Sequence, residues 1–281
     1  MKGDGKNDRA AWIQGPSAHC AIQPGERSHA WRLVLLGAPG VGKGTQAEML
    51  CTRLGACHLS TGDIFRAAAG SCGGGRSPAM EAALQYMRRG QLVPDSTVWE
   101  IIRERTGCIR CHGGFVLDGF PRTLPQAHAF HDLMSEKGLP LDAVLNYELP
   151  FPEIIARLGG RRVCGKCKAV FHETQNPPTV KGVCDKCGGN LVQREDDRPE
   201  SVEVRLEAYE RETAPLIEFY SGLNLLVRIG AVGTPQQIYD RSLNLLEAAI
   251  TDGMLRSRDP HDGIYGLGGP RNDLPGFAEP L

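Results

Sequence analysis

The chain has 281 residues, 41% of them hydrophobic, and a formal net charge of -1 at neutral pH. Its length and apolar content allow a substantial core, as one large domain or two smaller ones. The near-zero charge gives no overall attraction to nucleic acid or anionic membranes, and no apolar run reaches the roughly 20 residues of a membrane-spanning helix. These properties predict a soluble globular protein.

The two ends of the chain differ in composition from the middle. Residues 1–30 mix acidic and basic side chains with Gly, Pro and Ser and show no sustained period. They predict a flexible extension, without a secretory signal or the acid-poor composition of a transit peptide. Residues 251–281 are rich in Gly, Pro and Asp and predict a disordered tail. The folded domain is therefore expected over residues 31–250.

An apolar strand, a glycine loop and a helix-forming stretch follow one another at the start of this domain. Residues 32–50 read RLVLLGAPGVGKGTQAEML, so GxxxxGK stands between a strand and a helix, the context of a phosphate-binding loop. Backbone N–H groups there face phosphate oxygens, and Lys43 supplies a cation for the β and γ phosphates. The alternative is a glycine turn with a surface lysine, which the strand before the motif and the helix after it disfavour. The residues predicted to bind ATP here are Gly37, Ala38, Pro39, Gly40, Val41, Gly42, Lys43, Gly44 and Thr45.

The loop departs from the common motif at one position. Gly44 follows the lysine, and the hydroxyl comes one residue later at Thr45, so metal ligation by that hydroxyl stays open. Mg²⁺ usually keeps several waters and binds through nucleotide phosphates, so few direct protein ligands are needed. Asp118, at the end of the next predicted strand, can hold such waters.

Further apolar runs predict the remaining strands of a parallel sheet. They span residues 115–117, 143–149 and 225–229 and are separated by helical patterns, which predicts an α/β fold with helices flanking a P-loop NTPase-type sheet. Two insertions have a different character: residues 61–90 are helical and alanine-rich, and residues 158–196 are rich in Cys, Gly and Arg. Both are candidates for mobile flaps. The predicted core then comprises residues 31–60, 91–157 and 197–250.

Four of the ten cysteines form two Cys-x-x-Cys pairs separated by 16 residues, a spacing typical of zinc sites. Four thiolates close a tetrahedral shell and leave no position for water, so the metal is expected to be structural. The spacing does not separate zinc from iron, although zinc is the commoner structural choice. Four unbound thiols are the alternative. The predicted ligands are Cys164, Cys167, Cys184 and Cys187.

Two other interpretations of the cysteine motifs are disfavoured. Cys108, Cys111 and His112 spell CxxCH, the haem-attachment pattern, but they fall in a loop and nothing else indicates haem. The basic loop between the zinc ligands resembles a nucleic-acid reader, yet it lacks interleaved aromatic residues for base stacking. We therefore expect surface thiols at the first site and no nucleic-acid partner.

Five motifs in order resemble the adenylate kinase family over residues 32–250. They read GAPGVGKGTQAEML, STGDIFRAA, GQLVPD, LDGFPRTLPQA, and GRRVCGKC with DDRPESVEVRLEAY. The resemblance implies a P-loop core with a helical AMP-binding flap over residues 61–90 and an ATP-covering, zinc-bound lid over residues 158–196. It also implies the reaction ATP + AMP ⇌ 2 ADP with Mg²⁺ in a monomer. The protein is expected to be cytoplasmic, and an organellar location stays open.

The resemblance also assigns residues to the two nucleotides and to catalysis. Arg66 and Arg122 would hold the AMP phosphate through forked donors, and the Gln126 amide could pair with adenine N6–H and N1 together. The implied AMP site comprises Thr61, Arg66, Leu92, Val93, Gly119, Arg122, Gln126, Arg194 and Arg205. Arg157 and Arg161 join the ATP site. The implied catalytic set is Lys43, Arg122, Arg157, Arg161, Arg194 and Arg205. Asp118 and, less strongly, Asp63 would organise magnesium-bound water, although Asp63 could instead cap a helix.

Two alternative functions remain open from sequence. A kinase for UMP or CMP is one, although that family typically has SAGD where this chain has STGD, and Thr61 and Gln126 favour adenine. The other is a zinc-ribbon protein that uses ATP as a conformational switch. The residues implied for AMP disfavour it, because a switch needs one nucleotide site.

Overall fold

The computed structural model describes residues 10–14, 29–70, 78–111 and 113–251. The elements up to the middle of the chain are α1 (Ala10–Gln14), β1 (Arg32–Gly37), α2 (Lys43–Leu54), β2 (Cys57–Ser60), α3 (Thr61–Gly70), α4 (Pro78–Arg88), α5 (Asp95–Glu104), α6 (Thr106–Ile109), β3 (Phe115–Asp118) and α7 (Leu124–Glu136). The following elements are β4 (Ala143–Glu148), α8 (Phe151–Gly160), β5 (Arg161–Cys164), β6 (Val170–His172), β7 (Leu191–Val192), α9 (Pro199–Ala208), α10 (Leu216–Gly222), β8 (Leu226–Gly230) and α11 (Pro235–Thr251).

A five-stranded parallel sheet with the order β2-β3-β1-β4-β8 forms the centre of the protein. This confirms the predicted parallel α/β sheet. In the register, Asp118 lies opposite Leu35 on one side and Ser60 on the other. The carboxyl ends of β1, β2 and β3 therefore meet at one edge of the sheet, where the glycine loop begins.

Both faces of the sheet are covered. Val34 and Leu36 of β1 belong to one apolar cluster, whereas Leu33 and Leu35 belong to another. Successive side chains of a strand point to opposite faces, so these clusters lie on opposite sides of the sheet. This double burial explains why β1 is a continuous apolar run and does not alternate with polar residues.

The sheet contains one strand that the apolar runs did not indicate. β2 is only four residues long and reads CHLS, so it lacks the β-branched and aromatic residues that mark a strand. The helical segment that follows the second insertion is also divided. It forms α9 and α10, which a wide turn at Tyr209–Thr213 separates, and Pro215 precedes α10.

The two insertions differ in structure. The first contributes α3 and α4, on either side of residues 71–77, which lie outside the described residues. The second forms a three-stranded antiparallel sheet with the order β6-β5-β7. Cys164, Phe171 and Cys184 form a small buried cluster within it. Below, "lid" denotes residues 158–196.

Part of the predicted N-terminal extension differs from expectation. Ala10–Gln14 forms α1, and Trp12 is fully buried in the main apolar cluster, because the short run AAWI can cover apolar surface of the core. Residues 1–9, 15–28 and 252–281, on which the predictions of a flexible extension and a disordered tail otherwise rest, lie outside the described residues. So does His112 of the CxxCH motif.

Within the described ranges, no helix combines the length and the apolarity needed to cross a lipid bilayer.

Candidate active site

The glycine loop connects the carboxyl end of β1 to the start of α2. Gly37, Gly40 and Gly42 have φ values of 132°, 85° and 105°, in the region that favours glycine. A Cβ on Gly37 would lie 2.5 Å from the carbonyl oxygen of Tyr147, and one on Gly40 would lie 2.6 Å from Cγ of Leu158. Gly37 and Gly40 are therefore required by both the backbone conformation and the surrounding atoms, and Gly42 by its backbone conformation.

Lys43 is the first residue of α2 and folds back over the loop. Its Nζ donates to the carbonyl oxygens of Gly37 and Ala38 at 2.6 and 2.9 Å. Burial lowers the pKa of Lys43 to about 8; Asp118 opposes this shift, and three arginines, Arg122, Arg205 and Arg161, add to it. The lysine thus sits in a field of like charge that a bound anion would relieve.

Asp118 ends β3 beside this lysine. Burial alone would raise its pKa, but the neighbouring His58 imidazole, 3.7 Å away, and then Lys43 lower the pKa to about 2. A Cβ on Gly44 would lie 3.7 Å from Oδ2 of Asp118. Gly44 therefore lies next to an ionised carboxylate, a group that suits the waters of a magnesium ion.

Two arginines of the implied catalytic set share one buried carboxylate. Arg161 Nε donates to Oδ2 of Asp197 at 2.7 Å, and its Nη2 contacts Oδ1. Arg205 Nη1 donates to Oδ1 of Asp197 at 3.1 Å and to the carbonyl oxygen of Asp196 at 2.7 Å. The Asp197 side chain is 0% exposed. This carboxylate joins the first strand of the lid to α9 and orients both guanidinium groups.

Arg194, before the turn Glu195–Asp197, differs from these two. Its Nε is buried and has no hydrogen-bond partner among the described residues. Burial first, and then the positive charges of Arg161 and Arg66, lower its pKa to about 9. A buried donor without an acceptor is costly, so this group indicates a place for an anionic ligand.

Arg157 of α8 lies on the other side of the glycine loop. Its guanidinium donates to the carbonyl oxygens of Val41 and Ala231 at 3.2 and 2.9 Å. Arg157 thereby connects the loop to the end of β8. The structure therefore places it next to the predicted ATP-binding residues.

Three of the residues predicted to bind AMP meet at Gly119. Thr61 Oγ1 and Arg122 Nε both donate to the Gly119 carbonyl oxygen, at 2.9 and 2.8 Å. Gly119 has a φ of 82°, and a Cβ there would lie 2.8 Å from Thr61 Oγ1. The glycine therefore allows the close approach of α3 to the Arg122 segment.

Arg66 and Asp63 form a pair on α3. Arg66 Nη2 donates to Oδ1 of Asp63 at 2.6 Å, and the backbone N–H of Asp63 donates to Ser60 Oγ at 3.3 Å. Ser60, and not Asp63, therefore caps α3. The Asp63 carboxylate is engaged with an arginine that is predicted to bind phosphate.

Gln126 is 2% exposed, and both ends of its amide are engaged within the protein. Its Oε1 accepts from the N–H of Arg122 at 2.8 Å, and its Nε2 donates to Oδ1 of Asp95 at 2.6 Å. Pairing with adenine would require exchange of these bonds. Leu92 and Val93 precede Asp95 in the segment between α4 and α5, and Val93 is buried.

The four predicted metal ligands converge. Their sulfur atoms lie within 4.8 Å of one another, and the Cys164–Cys187 and Cys167–Cys184 pairs are 3.5 Å apart. Zn–S bonds of about 2.3 Å at tetrahedral angles give sulfur separations of roughly 3.8 Å. A Cβ on Gly189 would lie 2.9 Å from the Cys164 sulfur. Distances, donor type and the glycine all fit a structural zinc ion.

Sequence reasoning missed the acidic residues that orient the site. Asp197 holds Arg161 and Arg205, and Asp95 holds Gln126 and Thr123, whose Oγ1 donates to Asp95 Oδ2 at 2.9 Å. Both lie inside motifs that carry the family resemblance, DDRPE and GQLVPD. Their position inside these motifs was the one sequence feature that could have indicated a role for them in the site.

Comparison with known proteins gives consistent results. The family model described as adenylate kinase matches residues 35–224. A protein named adenylate kinase from Carboxydothermus hydrogenoformans is 46% identical over 216 residues, 77% of this chain and 99% of the relative. Relatives of the same name from Caldicellulosiruptor saccharolyticus and Streptomyces griseus are 47% and 44% identical, over 77% and 78% of this chain and 98% of each relative.

Proposed function

The chain belongs to the adenylate kinase family, and we propose that its cleft catalyses the reversible transfer of a phosphoryl group, ATP + AMP ⇌ 2 ADP. The observation that supports this most is the convergence of positive charge. Lys43 lies within the field of Arg122, Arg205 and Arg161, and Arg194 lies within that of Arg161 and Arg66. So many cations around one site suit two nucleotides whose phosphates face each other.

The donor nucleotide is held by the glycine loop and by residues on both sides of it. Residues 37–45 bind the phosphates through their backbone N–H groups, which Pro39 alone lacks, and through the N-terminus of α2. Lys43 exchanges its bonds to the loop carbonyls for phosphate oxygens. Arg157 of α8 and Arg161 of the lid also bind ATP. Asp118 would hold the waters of a magnesium ion bound with the nucleotide, which would supply neutralisation of phosphate charge, whereas Asp63 orients Arg66.

The acceptor is held by α3 and by the segment that follows β3. Arg66 and Arg122 bind the AMP phosphate through forked donors, and Thr61, Leu92, Val93, Gly119 and Gln126 surround the nucleoside. Arg205 and Arg194 neutralise charge on the phosphoryl group during transfer, with Arg122 and Arg161. Phosphoryl transfer of this kind needs positioning, charge neutralisation and exclusion of water, with no covalent intermediate on the protein.

A coupled assay that offers AMP, GMP, UMP and CMP in parallel tests the proposal. We expect efficient phosphorylation of AMP only. Thr61 and the Gln126 amide support adenine, which Gln126 would bind by exchanging its bonds to the Arg122 N–H and to Asp95. Efficient phosphorylation of UMP or CMP with little activity on AMP would contradict it.

Calorimetric titration with a two-headed ATP–AMP mimic separates the kinase from an ATP-dependent switch. One molecule of the mimic should fill both sites with high affinity, and AMP should compete with it. Binding that AMP does not affect would favour the switch.

We propose the same division of the chain as the family resemblance implies. The core comprises residues 31–60, 91–157 and 197–250, the AMP flap residues 61–90 and the lid residues 158–196. A monomer is supported because one chain supplies all the side chains of the site. We propose no nucleic-acid or membrane partner. Metal binding by four thiolates needs reduced cysteines, which supports a cytoplasmic location and fits a reducing organelle equally well.

A further inference from the structure

Trp12 of α1 is fixed by two hydrogen bonds to different parts of the protein. Its indole Nε1–H donates to the carbonyl oxygen of Ser60 at 3.0 Å, and its own carbonyl oxygen accepts from Arg105 Nε at 2.6 Å. Trp12 is 0% exposed and Arg105 is 7% exposed. Because both bonds are shielded from water, α1 is a docked element of the fold.

The first of these bonds ends next to the proposed AMP site. Ser60 is the last residue of β2 and caps α3 through its Oγ, and the next residue is Thr61. Trp12 also lies in the same apolar cluster as Ile64 and Phe65, on α3. Trp12 thus contacts the point from which the helix carrying Thr61 and Arg66 begins.

This arrangement lies outside the part of the chain that defines the family. The family model begins at residue 35, so α1 is not among the residues that it matches. The glycine loop, by contrast, follows β1, which β3 separates from β2 in the sheet. A contribution of Trp12 should therefore affect the binding of AMP and not that of ATP.

We infer that Trp12 is a positioning residue for AMP, an inference that rests on the proposed function. By holding the Ser60 carbonyl and filling the space beside α3, it keeps Thr61 and Arg66 in the arrangement that AMP needs before AMP binds. Without the indole N–H, the start of α3 samples more orientations, and AMP binding must restrict them. Affinity for AMP then falls because ordering opposes binding.

Steady-state kinetics of Trp12→Phe in the full chain test this inference. Phenylalanine keeps an aromatic ring in the core and removes only the donor and part of the ring. Loss of one buried hydrogen bond predicts a KM for AMP raised about three- to tenfold, with kcat and the KM for ATP within about twofold of wild type.

Tyr220→Phe is the matched control. Tyr220 is equally buried, and its hydroxyl has no hydrogen-bond partner among the described residues. This variant also removes a polar hydrogen from a buried aromatic ring, but in α10. It should leave both KM values unchanged. Hydrogen exchange provides a second measurement: amides of residues 61–70 should exchange faster in Trp12→Phe and at the wild-type rate in Tyr220→Phe.

The possible outcomes separate this inference from the proposed function. A wild-type KM for AMP in Trp12→Phe, or equal increases in both KM values, would overturn the role of Trp12 while AMP kinase activity stands. An AMP-selective increase with faster exchange in α3 would support it. Wild-type protein that fails to phosphorylate AMP would instead overturn the proposed function, and the inference with it.

Discussion

Asp197, just before α9, binds Arg161 at the start of β5, with Arg161 Nε donating to Asp197 Oδ2 at 2.7 Å. The same carboxylate accepts from Arg205 of α9, so its two oxygens serve two guanidinium groups. A buried carboxylate that satisfies two arginines fixes their direction more firmly than either ion pair alone would. The orientation of Arg161 and Arg205 therefore depends on Asp197, a residue that is not expected to touch the nucleotide.

Asp197→Asn should lower kcat by about 10- to 100-fold, because the substitution places an amide N–H₂ against a guanidinium donor and a charge-assisted hydrogen bond is worth about 1.5–3 kcal/mol. The KM values should change less, since the loop and α3 are intact. Steady-state kinetics measure both. Asp185→Asn is the control, because it removes a charge from an exposed part of the lid, where Asp185 accepts from the N–H of Thr179. Equal kcat values for the two variants would contradict the role of Asp197.

Binding of the two-headed ATP–AMP mimic should take up protons at alkaline pH. With its pKa at about 8, Lys43 is roughly half protonated at pH 8 in the free protein, and bound phosphate favours the charged form. We expect uptake of about half a proton at pH 8 and less at pH 7. Calorimetry in buffers with different ionisation enthalpies measures this uptake. Its persistence in Lys43→Met would assign it to another group.

Lys43→Met should reduce turnover severely and yet stabilise the ligand-free protein. The folded pKa of Lys43, about 8, is below the ordinary value of 10.5, so the unfolded chain binds more protons between these pH values. The destabilisation is complete below pH 8 and disappears as the pH rises to 10.5. At pH 7 the variant should gain on the order of 2 kcal/mol in free energy of unfolding. Urea unfolding at pH 7 and pH 10 checks this, and an equal difference at both values would exclude Lys43 as the cause.

Cys184→Ser should lower the thermal stability of the lid and remove bound zinc without abolishing phosphoryl transfer. The metal joins two knuckles of the lid and lies in a closed shell, so its loss affects folding of the lid before chemistry. Metal analysis, thermal melting and kinetics should be measured on the same samples. Cys111→Ser, which removes a thiol outside the cluster, should retain the metal. Purified wild-type protein without zinc would refute this prediction, and iron in its place would correct the metal.

Asp118→Asn and Asp63→Asn should separate the two acidic residues proposed for magnesium. Asp118 is ionised beside Lys43, whereas Asp63 is paired with Arg66. Asp118→Asn should raise the Mg²⁺ concentration for half-maximal activity about tenfold, the effect of about 1.4 kcal/mol, and lower kcat. Asp63→Asn should raise the KM for AMP and leave the Mg²⁺ dependence unchanged. Magnesium titrations at saturating nucleotide decide between them, and the reverse pattern would exchange their roles.

The sequence was sufficient to predict four of the five strands of the parallel sheet and the cysteine cluster. β1 is a continuous apolar run because both of its faces are buried, and the glycine loop requires three positive φ angles that only its composition allows easily. The cysteine spacing predicted four sulfur ligands that do converge. In each case the determining interactions are local or follow from a fixed spacing.

Features that depend on distant contacts were not predicted. Trp12 stands in a segment of mixed polarity, and its partners Ser60 and Arg105 are 48 and 93 residues away. Asp95 engages Gln126 from 31 residues away, so the motif suggested an amide free for adenine where the structure has one already bonded. β2 was missed because CHLS gains its strand conformation from pairing with β3 and not from its own residues.

The lid has its own sheet, its own apolar cluster and its own metal ligands, separate from the five-stranded sheet below. Elements of this kind unfold as independent cooperative units, and a ligand that binds only the folded unit stabilises it in proportion to the logarithm of its free concentration. The folding of the lid would therefore depend on bound zinc, whereas the folding of the core depends on hydrophobic burial. Under zinc starvation the lid would unfold before the core. The stabilities of the lid and of the core can therefore change separately in thermal adaptation.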